Sequence, residues 1–288
     1  MTRREQAYNR KVQELIDRAG HLRQQEVKRA RALLETARKE IATAVADTEW
    51  QAHRLHELTN AVEQAFEGFK QRYDSDLSAA LANSFEAGID MVDMPLAAAG
   101  IKIAAAELSL TELEIMQGYS TSLVKGLSAD AVKKINSELT LGLLGRKTPF
   151  EVMTAIGRNL DDKSVMSSIS ARAQTITRTE MARVHSASRE ARIQALAEGQ
   201  TDPPVEWKKK WISSSRLHPR LNHAMLDGVM VGIEEDFPGG IPYPHAPGLP
   251  AAEVINCGCT HVAAADWDKI AEDYGRQIDP VPVEERAA

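Results

Sequence analysis

A chain of 288 residues, 43% of them hydrophobic, holds enough apolar material for at least one sizeable core and is long enough for two domains. Aromatic residues make up only 5%, which together with abundant Ala, Glu, Arg and Leu favours helix. The net charge of -6 argues against nucleic-acid binding by the chain as a whole, and two cysteines argue against a disulfide framework.

The chain opens Met-Thr-Arg-Arg-Glu-Gln, without the apolar segment of a secretory signal, which leads to the expectation of a protein in a reducing compartment. Residues 1–40 carry eleven Lys or Arg against six acids. A basic arm on an acidic body could meet nucleic acid or an acidic protein surface through Arg3, Arg4, Arg10, Lys11, Lys28, Arg29 and Arg31. The simpler reading is a solvated helix face of mixed charge, because acids are interspersed throughout. Val12, Leu15, Ile16, Ala19 and Leu22, then Leu34, Ala37, Ile41 and Val45, recur at the three-and-four spacing of an amphipathic helix. Trp50, Leu55, Leu58, Val62, Phe66 and Phe69 continue the buried face, with Gly20 and Gly68 as weak points. Stripes this narrow should pack as a hairpin, an oligomer or against a partner.

The most apolar stretch, from Met91 to Leu110, is interrupted by Asp93, Pro95, Gly100 and Lys102, so no continuous membrane span is expected and the protein should be soluble. A helical block follows from about Leu108 to Gly199. Within it Ser128, Ser137 and Thr148-Pro149-Phe150-Glu151 read as helix starts, 161–164 as a loop, and the run beginning Ser-Ala-Arg-Ala-Gln as one long helix ending near Gly199.

Beyond Gly199, prolines and glycines cluster, and β-prone runs appear at Val205–Ile212, Val229–Ile233 and Glu253–Val262. This is a turn-rich unit too small to bury much surface alone, so it must lean on the preceding helices. His218 and His245, beside prolines, read as loop residues, and Asp227-Gly228 as a turn. The acidic end of the chain suggests one short helix followed by fraying. The expected fold class is therefore α+β and predominantly helical: long N-terminal helices (1–105), a central helical block with the small unit (106–265), and an acidic tail (266–288).

Both cysteines stand in Glu-Val-Ile-Asn-Cys-Gly-Cys-Thr-His-Val, residues 253–262. As a strand, this segment would turn Cys257, Cys259 and His261 to one side, and with His223 they make a Cys₂His₂ set chemically suited to tetrahedral zinc. One residue between the cysteines is shorter than the spacing structural zinc sites favour. The simpler reading is a pair of buried, unligated thiols with no cofactor.

Arg178-Thr179-Glu180 on the long helix, Trp207 or Trp211, the segment holding Arg220, His223, Asp227 and Gly228, and Asn256-Cys257-Gly258-Cys259 follow one another in an order that resembles the Mu F-like minor head proteins of tailed phages. The resemblance covers roughly residues 128–262; Gly258 stands where that family commonly has Arg. It implies a non-enzymatic head protein in the virion head or procapsid, assembled in the host cytoplasm, acting in head morphogenesis and DNA packaging or ejection. The implied partners are portal, scaffold or major capsid protein and, non-specifically, packaged DNA, with no membrane. The alternative is a catalytic or effector module delivered with the genome, centred on Arg178, Glu180, Arg220, His223 and Asp227, with His223 as general base. Against catalysis, such side chains equally form a polar network fixing the small unit onto the Arg-Thr-Glu helix.

Overall fold

Two long helices lead the chain: α1, Arg3–Ala46, and α2, Leu55–Ala98. The computed structural model describes residues 1–46, 55–144, 146–148, 150–152, 154–156, 168–214 and 220–274. Trp50, Pro149, the 161–164 loop, His218 and the end of the acidic tail lie outside them. Of the positions the periodicity of α1 predicts, Val12, Leu15, Ala19, Leu34, Ala37, Ile41 and Val45 are buried, while Ile16 and Leu22 are half-buried. Its outer face is laced by pairs one turn apart: Lys11–Glu14 at 2.9 Å, Arg29–Glu26 at 2.8 Å and Arg38–Glu35 at 2.7 Å. Neither helix breaks at Gly20 or Gly68, because one glycine costs only about 1 kcal/mol against a long run of good helix formers.

The end of α2 is a Schellman motif. Gly100 adopts φ +73°, while the Ile101 amide donates to Leu96 O at 2.9 Å and the Gly100 amide to Ala97 O at 2.9 Å. Arg4, buried, donates from its guanidinium to Ala99 O at 2.7 Å and Gly100 O at 3.3 Å, placing a cation at the negative end of the helix. Arg4 is therefore a structural cap and not a surface residue for DNA.

The chain forms two compact units that do not follow the serial boundaries expected from composition. The first comprises Met1–Leu22, Leu81–Leu113 and Met181–Ala288, the second Arg23–Ala80 and Glu114–Glu180. The long helices contribute to both, so a division by sequence position misses it.

The second unit is helical. Its interior includes Leu58, Val62, Phe66, Phe69, Val124, Leu127 and Ile135, with Phe69 stacked on Tyr73 at 5.3 Å between ring centres. The Tyr73 hydroxyl donates to Ala173 O at 2.8 Å. Helix α3, Thr111–Leu143, runs unbroken through Ser128 and Ser137, against the helix starts expected at both. The buried stripe Val124, Leu127, Ala131, Ile135 and Leu139 continues past them and outweighs the local capping preference. At Thr148 the expected capping box is present: the Glu151 amide donates to Thr148 Oγ1 at 3.2 Å, and the Thr148 amide to Glu151 Oε2 at 2.7 Å.

The first unit holds the strands. Helix α4, Ile169–Glu198, ends beside Gly199 as expected. Strands β3 (Lys208–Ile212), β4 (Met230–Gly232) and β5 (Thr260–Ala264) form an antiparallel sheet in the order β4-β3-β5, with Lys209 opposite Val231 and Ala263. A second antiparallel pair, β1 (Lys102–Ala104) with β2 (Gln200–Asp202), was not evident in the sequence. The core joins Tyr8, Val12 and Leu15 of α1 to Met91 and Leu96 of α2, Ile193 of α4, and Trp207, Val262 and Trp267. The small unit thus does lean on the helices. Two single-turn helices, α5 (Leu221–Ala224) and α6 (Ala251–Val254), and a short terminal α7 (Trp267–Tyr274) complete a predominantly helical α+β protein. Among the described residues, no helix is long and apolar enough to cross a membrane.

Candidate functional site

Three segments of the small unit meet at the cysteines. Strand β3 supplies Trp211, fully buried, whose ring meets Phe237 and His223 edge to face at 5.2 and 5.4 Å. The turn α5 presents His223 inward, and the Arg220 guanidinium before it donates to Ile255 O at 2.7 Å. After α6, Asn256 takes φ +56° and turns the chain so that Cys257 and Cys259 both face His223. His223 Nδ1 lies 3.5 Å from Cys257 Sγ and 3.6 Å from Cys259 Sγ. The Cys259 amide donates to Cys257 Sγ at 3.4 Å. On the far edge of the imidazole, Nε2 is 2.7 Å from Glu253 Oε2, which also accepts from Asn222 Nδ2 at 3.1 Å.

Both thiols are free and buried. A hydrogen bond from Cys259 draws the Cys257 thiol well below its ordinary range, against the opposing effect of burial and with help from His245. The same bond pushes Cys259 up. His245 lies in a turn, as expected, but it is 2% exposed, sits at φ +67°, and lies near enough to Cys257 to favour the thiolate.

His261 does not join this cluster. Regular strand begins only at Thr260, so the alternation expected through both cysteines does not hold. His261 instead places Nε2 at 3.0 Å from Glu190 Oε2, and Glu190 Oε1 accepts from Lys209 Nζ at 3.0 Å. Lys209 also donates to Pro242 O at 2.8 Å, while Arg189 donates to His261 O at 2.9 Å and to the Thr260 hydroxyl. Burial lowers His261 to about 4. Burial alone would raise Glu190, but the His261 hydrogen bond and the His261 and Lys209 charges hold it below the usual carboxylate value.

A polar network does fix the sheet to the long helix, and Arg189 and Glu190 are part of it. Arg178, Thr179 and Glu180 belong to the helical unit, where Ser120 Oγ donates to Glu180 Oε2 at 3.3 Å and Arg178 donates to Gln174 Oε1 at 3.2 Å. The proposed catalytic set is thereby divided between units. Asp227 and Gly228 form the expected turn: Gly228 has φ +77°, and Asp227 Oδ1 accepts from the Ser213 amide at 2.8 Å. The basic candidates divide likewise, Arg3, Arg10 and Lys11 in one unit and Lys28, Arg29 and Arg31 in the other. Sequence reasoning missed Lys209, although its signal was present: in Trp-Lys-Lys-Lys-Trp, strand alternation puts Trp207, Lys209 and Trp211 on one face.

The chain is similar to the uncharacterized protein YqbB of Bacillus subtilis (strain 168), at 36% identity over 95 residues. The match covers 31% of this chain and 29% of that protein, so the chain spans less than a third of the relative's length. No family model matches the chain. No solved structure matches it either.

Proposed function

We propose that this protein is a minor head protein of a tailed bacteriophage, joining the procapsid in low copy number and acting in head morphogenesis near the portal. The observation that carries the reading is the packing of three segments that resemble the Mu F-like proteins. Trp211, His223 and the Cys257–Cys259 pair, far apart in sequence, form one buried cluster. The side chains that suggested catalysis favour this reading over an enzyme: His223 is only 3% exposed and is wedged between Trp211, Glu253 and both sulfurs.

On this reading α1 and α2, each 44 residues and so about 66 Å long, offer the docking surface for portal, scaffold or capsid protein or for a second copy. Contact with packaged DNA falls to the exposed cations Arg3, Arg10, Lys28, Arg29 and Arg31 and is weak, sequence-independent and salt-sensitive. The test is quantitative mass spectrometry of purified procapsids and mature particles, with chemical cross-linking. The reading requires a few copies per particle, cross-linked to portal through α1 or α2. Absence from both kinds of particle sinks it.

A further inference from the structure

We propose that Cys257, Cys259 and His223 hold a structural zinc ion. The inference stands on the geometry of this unit and holds whether or not the protein is a phage head component.

Zinc bonds of about 2.3 Å to sulfur and about 2.05 Å to nitrogen, at tetrahedral angles, separate a thiolate sulfur from an imidazole nitrogen by about 3.6 Å. His223 Nδ1 lies 3.5 and 3.6 Å from the two sulfurs, and all three atoms fall within 4.8 Å of one another. A purely hydrogen-bonded cluster fits less well. One Nδ1 proton cannot point at two sulfurs at once, and the Glu253 carboxylate at Nε2 calls for the proton on the other nitrogen. With the proton on Nε2, Nδ1 presents a lone pair to the space between the sulfurs. A carboxylate holding the distal edge of a ligating histidine is the arrangement that fixes tautomer and ring orientation at zinc.

His245 is buried beside Cys257 but falls outside the set of ligand atoms that lie within 4.8 Å of one another, so it lines the site and is not counted as a ligand. Two soft sulfurs and an imidazole match zinc, and the burial of all three leaves little access for substrate, so the role is structural. The need is plain as well: this part of the unit is mostly turns, with helices of only four residues, and the metal ties together three segments that few backbone hydrogen bonds connect.

The test uses the full chain, expressed with zinc and desalted under reducing conditions. Elemental analysis should find about one zinc per chain, and replacement by cobalt(II) should give the visible spectrum of a tetrahedral site with a thiolate charge-transfer band. Cys257→Ser and His223→Gln should each lower the bound zinc by about tenfold or more, while His261→Gln retains it. Because a ligand variant can fail to fold, the wild-type cobalt spectrum is read separately. Wild-type protein without zinc or a thiolate–cobalt band, another metal in its place, or a Cys257–Cys259 disulfide would overturn the proposal. So would folded His223→Gln protein that keeps its full zinc and an unchanged cobalt spectrum.

Discussion

Replacing Glu190 by Leu removes the carboxylate on which two strands converge, and it tests how the sheet is held to α4. Lys209 is 2% exposed, and its Nζ has two polar contacts to lose or keep, Glu190 Oε1 at 3.0 Å and Pro242 O at 2.8 Å. Without Glu190 the lysine stays buried with one carbonyl and the face of Phe237, 5.7 Å from the ring centre. Breaking a buried pair from one side typically costs about 3–5 kcal/mol, because the stranded charge loses its partner but not its desolvation. Replacing both members by apolar residues should recover most of that loss, so Glu190→Leu with Lys209→Met should lie within about 1–2 kcal/mol of wild type. The assay is urea unfolding followed by far-ultraviolet circular dichroism for the two single variants and the double. A cost below about 1 kcal/mol for Glu190→Leu, or a double variant no more stable than that single one, would refute the idea that Lys209 depends on Glu190.

The same carboxylate sets an acid limit. Its folded value is depressed, so the unfolded chain takes up the proton first as pH falls; the contribution is complete above about pH 4.5 and is lost below it. His261, Lys209, Gln194 and Arg189 are the polar groups around this site. The stability gap between wild type and Glu190→Gln should therefore narrow between about pH 6 and pH 3, and a constant gap would contradict the assignment. Gly88→Ala should destabilise by about 1–3 kcal/mol, because the new Cβ would overlap Ser188 Oγ and stand 2.5 Å from His185 O; an unchanged urea midpoint would show that the two helices separate freely. Arg4→Gln should cost about 2 kcal/mol by uncapping α2, whereas exposed Arg3→Gln should stay within about 0.5 kcal/mol; equal effects would return Arg4 to the surface.

Helix content, the stripe along α1, the stop at Gly199, the capping box at Thr148 and the turn at Asp227-Gly228 were all legible in the sequence. Each depends on groups within a few residues of one another, where periodicity and backbone preference act directly. The same local rules failed at Ser128 and Ser137, whose capping chemistry is real but weaker than the buried stripe running past it. They also extended a strand through Cys257 and Cys259, which placed His261 with the thiols, whereas it meets Glu190.

What only the tertiary structure decided is the pairing of distant groups. Arg4 reaches Ala99 across 95 residues, Lys209 reaches Glu190, and His223 meets sulfurs 34 and 36 residues away. No spacing along the chain encodes such meetings, because they follow from how helices and strands pack once their apolar faces are buried. By itself the sequence determined which segments are helix, strand and turn, and that the turn-rich end needs support from elsewhere. The three-dimensional packing decided that Glu190 anchors Lys209 and His261 and that His245 stands beside Cys257: burial of unlike charges and imidazoles demands partners, and only the assembled core brings those partners within reach.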